Sequence, residues 1–238
     1  MPPVITLVLL PGLDGTGRLF QPFVRELPAA WRVIVVAYPM DANLGYAELA
    51  ALARSGLPAE GPVVLLGESF SGPVAIQLAM DLGSRVQALI LCCTFARNPR
   101  PRLAWLGTLI GHLPPPAAVP SALSARALLG ADAPVESRLL LSQALAQLPV
   151  TVLRARLKAV LKVNVLRQFE RLRVPVLYLQ ASRDLVVPES AAADLREVLP
   201  ALQIARLDGP HGLLQAAPRA AAVAATWFLM RERKAGGS

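Results

Sequence analysis

Residues 62–72 read PVVLLGESFSG, and this stretch decides the fold because it joins an apolar run to a serine in a turn of small residues. The run from Pro62 to Leu66 is short, rich in Val and Leu and bounded by turn residues, which predicts a buried strand. Apolar residues at helical spacing follow and predict a helix from about Ser71 to Leu82. A serine at a sharp strand-to-helix turn is typical of a nucleophile elbow, so Ser69 is the candidate nucleophile.

The motif departs from the usual Gly-x-Ser-x-Gly pattern. Ser71 stands where the second glycine is expected, and Gly72 comes one residue later. Such a string often arises by chance, and it is the flanking strand and helix that favour a catalytic serine here. We expect a strained, closely packed backbone at the turn, with N–H groups at the start of the helix facing a developing oxyanion.

Length and composition indicate one large domain. The 238 residues can form a single core, and 54% hydrophobic with 17% charged residues is not a disordered composition. The apolar runs are shorter than the ~18 residues of a membrane span, so no transmembrane helix is expected. The N-terminal run MPPVITLVLLPG lacks a basic n-region and predicts a first strand rather than a secretory signal.

Two adjacent cysteines bear on the redox setting. Cys92 and Cys93 fall in a predicted strand and should point to opposite faces, which favours neither a disulfide nor a metal site. A reduced, cytoplasmic setting is the interpretation that fits best.

Strand and helix patterns alternate through the first and last parts of the chain, which predicts a parallel sheet with right-handed crossovers. Phe20 and Phe23 should be core residues of the first helix, and the tail after Met230 should be frayed. The predicted strands are Val4–Leu10, Trp31–Ala37, Pro62–Leu66, Val86–Cys92, Val174–Gln180 and Leu202–Leu207. The other predicted helices are Tyr46–Ala53, Ser190–Leu199 and Leu213–Met230.

Residues 95–173, the cap segment, contain Leu/Ala-rich helical runs and no convincing strand. A helical insertion of this size predicts a cap over the carboxyl edge of a sheet formed by residues 1–94 and 174–238. Between Arg97 and Arg173 there are 12 Lys and Arg against three acids, so this segment carries the positive charge of a chain whose net charge is +8. The excess indicates either an acidic partner or compositional drift, and the sequence leaves both open.

A catalytic serine needs a base and a carboxylate that orients it. Of the two histidines, His112 lies beside a proline run in the cap segment, whereas His211 follows the last predicted strand in a glycine-flanked loop. Asp184 opens the loop after the fifth strand, although an ordinary turn aspartate is the plainer interpretation of that residue alone. The order Ser69, Asp184, His211 is the one expected of α/β-hydrolases.

Four stretches carry a resemblance to the α/β-hydrolase superfamily over nearly the whole chain: LPGLDGTG, GESFSG, SRDLVVP and GPHGLL. The resemblance implies an α/β fold with about six mostly parallel strands, flanking helices and a helical cap. It implies that Ser69 is the nucleophile, His211 the base and then the acid, and Asp184 its orienting partner. It also places the oxyanion hole at the N–H of Phe70 and of either Leu13 or Asp14. A serine nucleophile argues against the dehalogenase and epoxide-hydrolase chemistry that the superfamily performs with Asp.

The expected reaction is hydrolysis of small or medium carboxylic esters through an acyl-enzyme. The expected pocket lies between sheet and cap and is lined by the set Gly12, Leu13, Asp14, Phe70, Trp105, Leu106 and Leu185. One alternative is an ester or thioester carried by an acidic acyl carrier protein that docks on the basic cap, as in the similar esterases of biotin synthesis. Another is a non-catalytic ligand receptor. No motif predicts a cofactor or metal, and the basic segment lacks the interleaving of aromatic with basic residues, or the motif context, that is expected for nucleic-acid binding.

Overall fold

The computed structural model describes residues 5–115, 118 and 121–236, without the side chains of 103, 104, 106, 121 and 234–236. Its sheet has six strands in the order β2-β1-β3-β4-β5-β6, and every neighbouring pair is parallel. The expected parallel α/β sheet is therefore confirmed. The strands are β1 (Thr6–Leu10), β2 (Arg32–Val35), β3 (Val63–Glu68), β4 (Val86–Cys92), β5 (Val176–Arg183) and β6 (Gln203–Pro210).

The strand order reverses direction between β1 and β3, and the crevice at such a reversal is where α/β sheets bind ligands. Leu10, the last residue of β1, pairs with Gly67 near the end of β3. The loop after β1 and the turn after β3 therefore leave the sheet side by side.

Helices cover both faces of the sheet. They are α1 (Gln21–Arg25), α2 (Tyr46–Ser55), α3 (Gly72–Leu82), α4 (Ser121–Leu129), α5 (Val135–Gln147), α6 (Val150–Lys162), α7 (Leu166–Glu170), α8 (Ser190–Val198), α9 (Leu213–Ala216) and α10 (Pro218–Gly236). Short 3₁₀ helices span Arg18–Phe20, Ser69–Ser71, Gly83–Arg85 and Pro101–His112. None of the described helices is both long enough and apolar enough to cross a membrane.

Alternate residues of the strands pack into two separate cores, as the period of two in a strand requires. Leu65 of β3 faces a core shared with α2, α3 and α8, whereas Leu66 faces a core shared with α1 and α10. Phe20 and Phe23 belong to the second core with exposures of 1% and 0%, as their helical spacing predicted.

The cap segment connects β4 to β5 and contains the 3₁₀ helix Pro101–His112 and helices α4 to α7. Ala125 and Leu129 of α4 pack against Leu141 of α5 in a small cluster of their own. The ends of the segment join the sheet's core through Phe95 and Phe169. The bounds of a separate cap domain, residues 95 and 173, remain a prediction from the sequence.

Two expectations about local structure were wrong. Arg231–Gly236 continue helix α10 instead of fraying, and the last two residues of the predicted tail lie outside the described residues. Pro218 separates α9 from α10 because proline cannot continue an incoming helix. The cysteines do not point to opposite faces: both pack in the same core, with Sγ atoms 4.0 Å apart. Strand β4 ends at Cys92, and Cys93 has a φ of +47°, so the alternation of strand side chains no longer applies to it.

The turn after β3 is packed so closely that two glycines are needed there. A Cβ on Gly67 would lie 2.7 Å from Ala75 Cβ, and a Cβ on Gly72 would overlap the side chain of Thr94. The tight positions thus lie two residues before and three after Ser69, which explains why Ser71 is tolerated in place of the usual glycine.

We expect Gly72→Ala to lower the free energy of unfolding by about 1–3 kcal/mol, because the new methyl group overpacks a site filled by Thr94. Alanine has the higher helix propensity, so a loss must come from this overlap. Urea unfolding measures the change. Gly111→Ala is the matched control, because a Cβ there meets nothing within 4 Å. Equal stability of the two variants would contradict the packing argument.

Candidate active site

Ser69 is the first residue of the turn between β3 and α3, and its φ of +49° is in the left-handed region. Few residues other than glycine adopt this conformation without surrounding support. Here the Thr94 hydroxyl donates to the Ser69 carbonyl and fixes the turn from the neighbouring strand end. The expected strain at the elbow is therefore present in the backbone.

The three residues predicted to act together are brought together. Ser69 Oγ lies 2.9 Å from His211 Nε2, and His211 Nδ1 lies 2.9 and 3.0 Å from the two oxygens of Asp184. His211 directly follows β6 and Asp184 directly follows β5, so the parallel sheet delivers both to one edge. His112, the other histidine, is exposed on the cap segment.

The hydrogen bonds define the His211 tautomer. A carboxylate can only accept, so Nδ1 carries the proton and donates to Asp184, which leaves Nε2 to accept from the Ser69 hydroxyl. Burial tends to raise the pKa of the Asp184 carboxyl, but the hydrogen bond and charge of His211 and the N–H groups of Val187 and Val186 outweigh it. The net effect is a lowered pKa, which keeps Asp184 ionised.

The loop after β1 borders the candidate nucleophile. A Cβ on Gly12 would lie 3.9 Å from Ser69 Cβ, and Gly12, Leu13, Asp14 and Phe70 all line the cavity in front of the serine. Among the described residues, the N–H groups of Leu13 and Asp14 have no acceptor. These N–H groups and that of Phe70 are the candidate oxyanion donors.

A buried polar network that sequence reasoning missed supports this loop. The Ser71 hydroxyl donates to the Pro11 carbonyl and lies 2.7 Å from the Tyr38 hydroxyl. Burial raises the pKa of Tyr38, so its phenol stays protonated. The only sequence signal for this network was the serine in place of a glycine at position 71.

The cavity in front of Ser69 has a volume of about 600 Å³ and is largely apolar. Leu185 lines it as expected, and α5, α6 and the residue that follows α5 contribute leucines at positions 141, 145, 148, 157 and 161. Trp105 does not line it: this side chain is 67% exposed, and Gly107 and Ile110 of the same 3₁₀ helix face the cavity instead. The side chain of Leu106 lies outside the described residues.

One cluster in the described part of the chain has the composition of a metal site. Cys93, Asp184 and His211 each place a ligand atom within 4.8 Å of the others. Both oxygens of Asp184 already accept from His211 Nδ1, so the Asp–His hydrogen bond accounts for the cluster. Both cysteines are free thiols.

Glu68 is the buried carboxyl immediately before Ser69. It is 5% exposed and accepts a hydrogen bond of 2.9 Å from Gln215 Nε2. Burial raises its pKa to about 7 and nearby Asp14 adds to the shift, against the opposing effects of Gln215 and His211. Nothing in the sequence except its place within the motif marked this residue.

We expect Glu68→Gln to change how stability depends on pH. The folded protein binds the Glu68 proton more tightly than the unfolded chain, so this carboxyl destabilises the fold progressively as pH rises from about 4.5 to about 7. Relative to the variant, wild-type protein should lose up to about 3 kcal/mol of unfolding free energy across that window. Urea unfolding from pH 4.5 to 8 measures the difference, with exposed Glu60→Gln as control. A difference that does not vary with pH would contradict the buried, protonated carboxyl.

Known proteins resemble this chain in sequence and in fold. A curated protein, the Magnesium-chelatase 30 kDa subunit of Rhodobacter capsulatus, is 26% identical over 245 residues, spanning 86% of this chain and 80% of that protein. An esterase from Exiguobacterium antarcticum superposes with a TM-score of 0.78 at 15% identity, covering 95% of this chain and 92% of that one. An enol-lactonase from Burkholderia xenovorans LB400 gives 0.76 at 18% identity, covering 96% and 92%.

The model of the alpha/beta hydrolase family matches residues 7–226, which include all six strands from the second residue of β1 onward. The chain belongs to the alpha/beta hydrolase family.

Proposed function

We propose that the protein is a serine carboxylic-ester hydrolase that acts through an acyl-enzyme on small or medium acyl esters. The observation that carries the proposal is the continuous hydrogen-bonded chain from Ser69 through His211 to Asp184, of which Ser69 and His211 line a largely apolar cavity. A nucleophile, a base and an orienting carboxylate in this arrangement are the parts that acyl transfer requires. The likeness in fold to an esterase and an enol-lactonase is consistent with the proposal.

Acylation begins when Ser69 Oγ attacks the ester carbonyl and its proton passes to His211 Nε2. The carbonyl oxygen becomes an oxyanion, which accepts from the N–H of Phe70 and from an N–H of the loop after β1. As the intermediate collapses, the bond to the alkoxy oxygen breaks and His211 gives its proton to the departing alcohol. Asp184 stays ionised throughout and stabilises the imidazolium.

Deacylation repeats these steps with water. His211 Nε2 takes a proton from water as the water oxygen attacks the acyl carbon, and the same donors hold the second oxyanion. Collapse breaks the bond to Ser69 Oγ, which recovers its proton from His211, and the carboxylic acid leaves.

The cavity indicates the class of acyl group. Its volume of about 600 Å³ is within the ordinary range for small-molecule sites, and leucines are the most frequent residues of its wall on the cap side. Besides the candidate nucleophile and base, its polar lining residues are Asp14, Glu68 and Gln215 from the sheet side and Asn98 and Arg100 from the cap segment. An apolar acyl chain fits the leucine-rich wall, with its ester carbonyl beside Ser69.

Ser69→Ala should abolish hydrolysis of a p-nitrophenyl ester series from acetate upward, with kcat falling by on the order of 10⁴-fold or more because no nucleophile remains. The chain length that gives the highest wild-type kcat/KM then reports the size of the acyl pocket. Labelling by a fluorophosphonate probe identifies Ser69 as the reactive residue.

Ser124→Ala on the cap segment is the matched control and should retain wild-type activity. A wild-type protein that is inert to the whole series, with Ser69 unlabelled, would overturn the proposal. The non-catalytic ligand-receptor hypothesis would then lead.

A second candidate is supported by the charge of the cap segment. Its cations include exposed Arg102, Arg126, Arg138, Lys158 and Lys162. A surface of this kind attracts an acidic partner and raises the association rate. The corresponding proposal is that the acyl group arrives on an acidic carrier protein that docks on the cap segment.

Reversal of Arg126 and Arg138 to Glu should then lower kcat/KM about 10-fold or more on an acyl-carrier-protein ester and leave a free ester of the same acyl group unchanged. The carrier effect should shrink as salt is added, because salt screens exposed charges. Arg54→Glu on α2, an exposed arginine outside the cap segment, is the control. Equal losses on both substrates would remove the docking hypothesis.

A further inference from the structure

Arg156 is an arginine of α6 buried to 2% exposure, among the largest fully buried side chains of the described chain. Among the described residues no carboxylate bonds directly to Arg156, although the charge of Asp14 is near enough to favour the protonated form of the arginine. Its guanidinium donates instead to two backbone carbonyls, Leu13 O at 2.8 Å and Pro39 O at 3.1 Å. Burying a cation costs free energy unless it is hydrogen-bonded. The two carbonyls offset part of that cost and so make the burial of Arg156 possible.

Several contacts of Arg156 are with residues of the candidate oxyanion hole or next to it. Its guanidinium carbon is 5.8 Å from the centroid of the Tyr38 ring and 6.0 Å from that of Phe70, the residue that offers one oxyanion donor. A Cβ on Gly15 would lie 2.5 Å from Arg156 Nη1, so glycine is needed where the guanidinium enters the loop. The side chain thus connects the cap segment to both sides of the hole.

The first three carbonyls of the loop after β1, at residues 11 to 13, each accept a hydrogen bond. Pro11 O accepts from the Ser71 hydroxyl, Gly12 O from the Gly15 N–H at 3.1 Å, and Leu13 O from Arg156. In a planar trans peptide the N–H points opposite to the carbonyl. The Gly12 carbonyl shares a peptide with the Leu13 N–H, and the Leu13 carbonyl shares one with the Asp14 N–H. The hydrogen bonds that fix the direction of these two carbonyls therefore also fix the direction of the two N–H groups.

We propose that Arg156 is a positioning residue for the proposed esterase reaction: from helix α6 it holds the Leu13–Asp14 peptide in the orientation that the oxyanion hole requires. The inference rests on the proposed function. Arg156 is not among the described residues that line the cavity, so it acts through the loop and not on the substrate. Charge-assisted bonds from a planar guanidinium suit this role because they fix both position and direction.

The kinetic test compares Arg156→Met and Arg156→Lys with wild type on one p-nitrophenyl ester. We expect kcat to fall about 10–100-fold in Arg156→Met while KM changes by less than about 3-fold, because the loop is misplaced and the cavity is intact. Arg156→Lys keeps the charge and the stem but cannot reach both carbonyls with a planar fork, so its loss should be smaller.

Affinity for a trifluoromethyl ketone with the same acyl chain separates this role from general structural support. Ser69 adds to the ketone and creates an oxyanion, so its affinity should fall in parallel with kcat/KM. Arg154→Met is the matched control, since Arg154 is on the same helix and donates to the carbonyl of Leu113 within the cap segment. Its kcat and ketone affinity should stay at the wild-type level.

Amide hydrogen exchange of the peptide covering residues 11–17 tests the loop independently of activity. Exchange there should be faster in Arg156→Met than in wild type and unchanged in Arg154→Met. A kcat within 3-fold of wild type, unchanged exchange or an equal effect of Arg154→Met would overturn the inference.

If wild type hydrolyses no ester, the proposed function fails, and faster exchange would then leave Arg156 as a loop support without a catalytic purpose. If Arg156→Met does not fold, Arg156→Lys is compared with wild type by the same three measurements: kcat, ketone affinity and amide exchange.

Discussion

The structure around the site depends on the close approach of α3 to the end of β3. This approach holds Ser69 in a left-handed conformation, with Gly67 and Gly72 providing the space and Thr94 fixing the carbonyl. A strained residue persists only when its surroundings overdetermine it. Because the strands are parallel, the same edge also receives the loops that carry Asp184 and His211, so the elbow determines where the remaining groups must meet.

Several buried polar groups around this elbow have identifiable partners, whereas the buried Tyr46 hydroxyl, whose ring stacks on Phe70, has none among the described residues. Glu68 bonds to Gln215, Ser71 to Pro11 and Tyr38, and Arg156 to two carbonyls. An unpaired buried polar group costs about 1–3 kcal/mol or more, so such a cluster beneath an apolar cavity is maintained only if it is satisfied. The network explains how a loop without secondary structure can be held rigidly enough to present N–H groups to an oxyanion.

Most of the fold was predictable because its signals are local. The strand after Gly61, the turn at Ser69 and the helix after it are encoded by neighbouring residues, and β4 was predicted with its observed bounds, Val86–Cys92. The errors arose where the structure departs from the local sequence pattern. Cys93 has a positive φ and does not follow the alternation of strand side chains, and helix α10 extends to Gly236. Trp105 failed as a cavity residue because only the packing of its helix decides which face turns inward.

The sequence by itself determined the family of folds, the order of the elements and the identity of Ser69, Asp184 and His211 as candidates, since each directly follows a strand whose pattern is local. Only the tertiary structure decided that their side chains meet, that the cavity is apolar and that Glu68 is buried with a raised pKa. Arg156 is the clearest case. Among 12 basic residues of the cap segment nothing local distinguishes it, because its burial arises from contacts with residues more than 100 positions away.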